Sequence, residues 1–266
     1  MLDFYSISQD IYVLSSSYHI PRFGTIPVNS YVLLSEEPVL IDAGLGRDSE
    51  DFVNALKAII DPQELKWLWL THDDVDHAGN IKPLLEFAPK AKLAVHALSA
   101  LRMNTSWQVP LERVYALSIG EKISVGDRKL TLIKPPLYDS PYTVGLFDEK
   151  SGALFSVDAF GAVLKRKERN TASFSDQELD EGMTAWASFD TPWVHLMEEQ
   201  KFKAALDEVR ELNPSMILSS HLPTARTRIE QLVDVLSRVP QSKPFVMPDQ
   251  TVFSRIIEES NEIITY

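Results

Sequence analysis

Trp67-Leu68-Trp69-Leu70-Thr71-His72-Asp73-Asp74-Val75-Asp76-His77-Ala78-Gly79-Asn80 is an apolar strand running directly into a dense group of metal-type donors. Extended backbone puts His72 and Asp74 on one side, and a turn at Asp76-His77 folds two more donors toward the same point. The competing reading is an acidic turn capping a helix that begins near Gly79, with Asp76 as the cap. Two remote segments favour the metal site. Leu154-Phe155-Ser156-Val157-Asp158-Ala159-Phe160-Gly161 is a second buried strand ending in a carboxylate, and Ser219-Ser220-His221 ends a third.

Outward from this run, short β-branched apolar stretches at 11–14, 30–34, 39–41 and 129–133 join 67–70 as expected strands. Strands at 143–146 and 153–156 flank a hairpin turn at 147–152, and 216–218 is a short buried strand leading to His221. Phe52, Val53, Leu56, Ile59 and Ile60 recur at helical spacing over 50–60, with Asp48 and Ser49 available as caps, and 202–212 and 229–236 are helical by the same test. The polar stretch 165–181 is expected to be a solvated loop. Strands interleaved with helices, without strict alternation, predict an α/β (α+β) fold of two sheets sandwiched between helices, as one domain over 1–266.

Composition narrows the partners. A net charge of -12 repels nucleic acid and anionic lipid. No run reaches the ~20 apolar residues of a membrane span, and residues 1–17 lack the basic start and apolar stretch of a leader, so a cytoplasmic protein is expected. With no cysteine, any metal must sit on His, Asp and Glu.

Asn29-Ser30-Tyr31 and Leu40-Ile41-Asp42-Ala43-Gly44, followed by the histidine–aspartate run, the central aspartate and the late histidine, occur in the order of the metallo-β-lactamase superfamily. The chain resembles that superfamily over most of its length, which implies an αββα sandwich with a dinuclear site at one edge. The usual motif His-x-His-x-Asp-His here has Asp74 at its third position. A carboxylate there resembles the metal domain of flavodiiron proteins, which generally place Glu at that point and reduce oxygen or nitric oxide at two irons. The segments around Asp158 and from Trp186 to His221 are similar to that group as well. The resemblance implies that His72 and Asp74 serve one metal, Asp76 and His221 the other, and Asp158 bridges them; His77 either binds or stands just outside. Asp76 and His77 are the candidate catalytic residues. A further histidine of the family, nineteen positions before the bridging aspartate, falls on Asp139, with Pro141 in register. Asp139 is therefore a replacement ligand or an ordinary turn aspartate. With both replacements the first metal sees an oxygen-rich anionic set, which favours iron or manganese over zinc. Asp42 is expected to orient a ligand, Trp186 and Trp193 to pack, and His19, His96 and His195 to have no metal role.

The expected function is a protein with two metal ions, iron favoured and zinc or manganese as alternatives, that binds or reduces oxygen or a related small oxidant. Flavodiiron enzymes draw electrons from a flavin domain that follows the metal domain. With none expected after Tyr266, the donor would be a separate flavin or rubredoxin-type partner, unless the role is sensing; a homodimer is the family's arrangement. The alternative is a metal-dependent hydrolase of an ester, thioester or phosphoester, with Asp76 orienting the water. A third reading is a degenerate binding protein without chemistry.

Overall fold

The computed structural model describes residues 2–264. One sheet contains β1 (Asp3–Ser6), β2 (Ile11–Ile20), β3 (Gly24–Leu33), β4 (Val39–Ile41), β5 (Trp67–Trp69), β6 (Lys92–Val95) and β7 (Val114–Ala116), side by side in chain order. It is antiparallel from β1 to β4 and parallel from β4 to β7. The other contains β8 (Lys122–Ser124), β9 (Lys129–Ile133), β10 (Gly145–Asp148), β11 (Ala153–Val157) and β12 (Met216–Ser219), antiparallel except for the β11–β12 pair. The helices are α1 (Ser49–Ile59), α2 (Val75–Ala78), α3 (Ile81–Phe87), α4 (Ala97–Met103), α5 (Asp176–Asp190), α6 (Glu199–Leu212), α7 (Ile229–Arg238) and α8 (Gln250–Ile264).

Strand β5 explains the layering. Its side chains alternate, so Trp67 and Trp69 enter the layer between the sheets, while Leu68 and Leu70 pack with Phe52, Leu56 and Leu84 of α1 and α3. The second sheet buries its other face, through Leu154 and Ile217, against Leu179 and Met183 of α5, Leu206 of α6 and Leu232 of α7. Three apolar layers thus separate helices, sheet, sheet and helices, the αββα sandwich expected from the sequence.

Several expected boundaries shift. The strand read at 143–146 is Gly145–Asp148, because the Val144 N–H donates outside the second sheet, to Thr71 O at 3.0 Å. The loop read at 165–181 ends early. Helix α5 starts at Asp176, capped by Ser175, whose hydroxyl accepts from Glu178 N while the Glu178 carboxylate accepts from Ser175 N. The helix expected near Gly79 is split into α2 and α3. A Cβ on Gly79 would lie 2.3 Å from Gly44 O, so this turn is pressed against the loop that carries Asp42. Strands β1, β6, β7 and β8 and helices α4 and α8 have no counterpart among the elements expected from the sequence. Among the described residues no helix is long and apolar enough to cross a membrane.

Candidate metal centre

Strand ends from both sheets converge on one point. From the first sheet, β5 runs through Thr71 into His72, and α2 supplies Asp76 and His77. From the second, β11 ends in Asp158 and β12 leads to His221. A register shift between Phe155 and Val157 bends β11 at its end, and Val157, a β-branched residue, adopts a φ of 58°. Such a backbone costs about 1–3 kcal/mol and is held by its surroundings; here it aims the next residue, Asp158, between the sheets. Just beyond, Gly161 admits Trp186, since a Cβ there would lie 2.4 Å from Trp186 Nε1.

The protons of the three imidazoles follow from their partners. Asp42 Oδ2 and Pro27 O can only accept, so His77 and His221 each donate from Nδ1, at 2.9 and 2.7 Å. The Thr71 hydroxyl donates to Asp42 and therefore accepts from His72 Nδ1 at 3.2 Å. Each ring is left with Nε2 facing Asp158: His77 at 3.0 Å and His221 at 3.1 Å from Oδ1, His72 at 3.5 Å from Oδ2. His221 Nε2 is also 3.5 Å from Asp76, and His72 Nε2 3.8 Å from Asp139. Asp42 thus orients His77 and, through Thr71, His72.

All seven residues singled out from the sequence are brought together. Ligand-type atoms lie within 4.8 Å of one another in three groups: His72 with Asp74 and Asp139, His72 with His77 and Asp158, and Asp76 with His77 and His221. These groups fit a pair of cations. The Asp158 side chain is 3% exposed, yet neither of its oxygens has a hydrogen-bond partner among the described residues, and neither does Asp139 Oδ1. With their protons on Nδ1, the close ring nitrogens turn lone pairs toward Asp158. A buried carboxylate facing lone pairs is costly unless a cation or added protons lie between them.

Without a cation the charges adjust among themselves. Burial favours neutral rings, but Asp158 and Asp42 outweigh it and raise His77 well above its ordinary pKa, and Asp158 and Asp76 raise His221. His72 is lowered by burial and by His77. Burial would raise Asp158, but His72, His77 and His221 hold it well below the carboxylate range. Burial, with Asp158 and Asp74 nearby, pushes Asp139 up to about 7.

Some neighbours were not found from the sequence. Arg102 of α4 donates to both Asp73 oxygens and, at 3.3 Å, to Asp74. Trp186 lies over His221, with ring centroids 4.4 Å apart, and donates to Asp158 O. Asp190, one turn after Trp186 on α5, is raised to about 8 by burial and by Asp158. Arg102 could not be found because its partners lie 28 and 29 positions away, and Asp190 stands at the end of a helix whose start reads as loop; Trp186, expected to pack or to wall the pocket, does pack on His221. His19, His96 and His195 instead bond Thr25, the Leu98 N–H and Ser188.

Residues 26–221 match the family described as ODP family beta lactamase. The chain belongs to that family. A nitric oxide reductase of Moorella thermoacetica is 27% identical to this ODP-family chain over 208 residues, 74% of the chain and 49% of the relative. An anaerobic nitric oxide reductase flavorubredoxin of Salmonella typhi is 28% identical over 134 residues, 50% of the chain and 28% of the relative. The chain thus spans half the length of such relatives or less. Among solved structures, the rubredoxin oxygen:oxidoreductase of Desulfovibrio gigas superposes with a TM-score of 0.76 at 18% identity, over 90% of this chain and 61% of that one. A flavoprotein of Thermotoga maritima gives 0.79 at 19%, over 92% and 62%. The flavodiiron protein of Giardia intestinalis gives 0.79 at 16%, over 91% and 60%, so the ODP-family chain shares its fold.

Proposed function

We propose that this chain holds two iron ions, one among His72, Asp74 and Asp139 and one among Asp76, His77 and His221, with Asp158 between them. In this reading it binds or reduces oxygen or a related small oxidant such as nitric oxide, with electrons from a flavin or rubredoxin-type donor. The observation that carries the reading is the division of Asp158, whose Oδ1 faces His77 and His221 while Oδ2 faces His72. The first group has more carboxylates than imidazoles, a hard set suited to iron or manganese. The names of the relatives, nitric oxide reductases and an oxygen oxidoreductase, point the same way.

Iron, when bound, supplies the electron chemistry, and the protein supplies position and field. Asp42, Thr71 and the Pro27 carbonyl hold the ring protons on Nδ1, leaving each Nε2 lone pair for a ligand bond. Trp186 covers His221 and excludes water from that side. Asp76, less buried than His77 and His221, leaves its side of the centre reachable from solvent.

Elemental analysis of anaerobically purified protein, with optical spectra before and after air, tests this. About two irons per chain and an oxygen-dependent spectral change are expected. Zinc with no change in air would overturn the redox reading and favour the hydrolase.

A further inference from the structure

Asp139 is the one carboxylate of the centre carried by the loop between β9 and β10. Its Oδ1 is buried without a hydrogen-bond partner. Something else must keep this carboxylate 3.8 Å from His72.

Lys134, the first residue after β9, meets that need. Its ammonium donates to Pro141 O at 3.0 Å and Thr143 O at 3.2 Å, and lies 3.7 Å from the centre of the Tyr138 ring. An ammonium has three N–H groups, and two carbonyls with one π face engage all of them. The three contacts come from both sides of Asp139, so a single charge ties the start of the loop to its end. No carboxylate joins this cradle, although Asp139 is near enough to offset part of the effect of burial, which lowers the lysine's pKa. A compact ammonium suits the cradle better than a planar guanidinium. Other contacts fix the rest of the loop: Val144 N donates to Thr71 O, beside His72, and Tyr142 stacks on His96 with centroids 5.3 Å apart.

We infer that Lys134 is a positioning residue for the first metal position, clasping the 134–143 loop so that Asp139 faces His72. The inference rests on the two-metal reading. It predicts a selective effect: without the ammonium the first position weakens, while Asp76, His77 and His221, held by other elements, keep their cation.

The test is an anaerobic titration of metal-free full chain with ferrous ion, for wild type, Lys134→Met, Asp139→Ala and the double variant, alongside hydrogen exchange of the metal-free proteins. Methionine keeps the apolar stem and removes the charge. Lys134→Met is expected to weaken one site by about 10–100-fold, as for other residues that orient ligands, and to leave the other near wild-type affinity. In the Asp139→Ala background the same change should have no further effect. Amides at 138–143 should exchange faster while those of β9 and β10 do not. Wild-type affinity at both sites in Lys134→Met, or an equal further loss in the double variant, overturns the inference alone. Wild-type protein that takes up no metal overturns the functional reading and this inference with it.

Discussion

Strand β11 has a buried carboxylate near each end, and the two are handled in opposite ways. At its start, Asp148 of the neighbouring β10 is fully buried opposite Ala153. It accepts from Arg128 at 2.9 Å, from the Ser151 hydroxyl at 2.5 Å and from Lys150 N at 3.2 Å, and Arg128 continues to Asp10 and Asp127. Asp158, just past the other end, is almost as buried and accepts no aligned hydrogen bond. Burial alone does not mark function. The first carboxylate has its cation built into the chain; the second is surrounded by imidazoles whose lone pairs need one from outside.

Removing each carboxylate should therefore have unlike consequences. Asp148→Ala leaves the buried Arg128 guanidinium with only the partly exposed Asp10 and Asp127, and breaking a buried pair in this way costs up to about 3–5 kcal/mol. Urea denaturation should show the loss in metal-free and metal-loaded protein alike. Asp158→Ala should instead cost the metal-free protein less than Asp148→Ala, and only at pH values where the raised His77 and His221 carry charge beside it. Its metal content should fall from about two ions to at most about one. Equal destabilisation of the two metal-free variants would mean that Asp158 is a structural carboxylate like Asp148, and the comparison would collapse.

Acid–base behaviour sharpens the contrast. In metal-free protein His77 and His221 are raised and Asp139 is pushed up to about 7, so these groups hold protons to higher pH than usual, and a cation must expel them. Metal binding should release protons, and affinity should rise with pH through this range. Calorimetry in two buffers of different ionisation enthalpy would detect it; identical heats would contradict it. The stability from the two raised histidines has a definite sign. It is fully present below their unfolded pKa of about 6.5 and is lost as pH rises through the higher folded values. The Arg128 end contributes nothing in that window, because a guanidinium does not titrate there.

The same contrast explains what could be read from the sequence. The metal centre was legible because its donors cluster: His72, Asp74, Asp76 and His77 share one strand end, and Asp158 and His221 each follow an apolar strand. The Arg128–Asp148 pair was not, because its members are ordinary turn residues on two hairpins, and only the β9–β10 register brings them together. Ser175-Asp176-Gln177-Glu178, with Leu179, Met183 and Trp186 at helical spacing, signals α5, but the charge of its first turn is equally that of a solvated loop. Strands β6, β7 and β8 are only three or four residues long and take their conformation from their neighbours in the sheets. Whether Asp139 faces the centre depended on a loop conformation set by contacts of Lys134, which no local pattern encodes.

Arg102 offers a third arrangement, a cation built into the chain but standing in water. Its side chain is 49% exposed, it holds Asp73 with two donors, and it reaches Asp74 at 3.3 Å. Arg102→Ala should shift unfolding by less than about 1 kcal/mol, the smallest stability change of the series, because water screens the pair. The effect on metal is the informative one. If the guanidinium competes with a bound cation for Asp74, removing it should raise affinity at the first position several-fold in low salt, and the gain should fade as added salt screens the charge. Arg102 also lies over the Tyr142 ring, 5.5 Å from its centroid, on the loop that carries Asp139. Affinity that instead drops tenfold or more, with little dependence on salt, would mean that Arg102 works as Asp42 does, orienting a ligand. Asp74 would then need a cation of the chain to hold it, in the manner of Asp148.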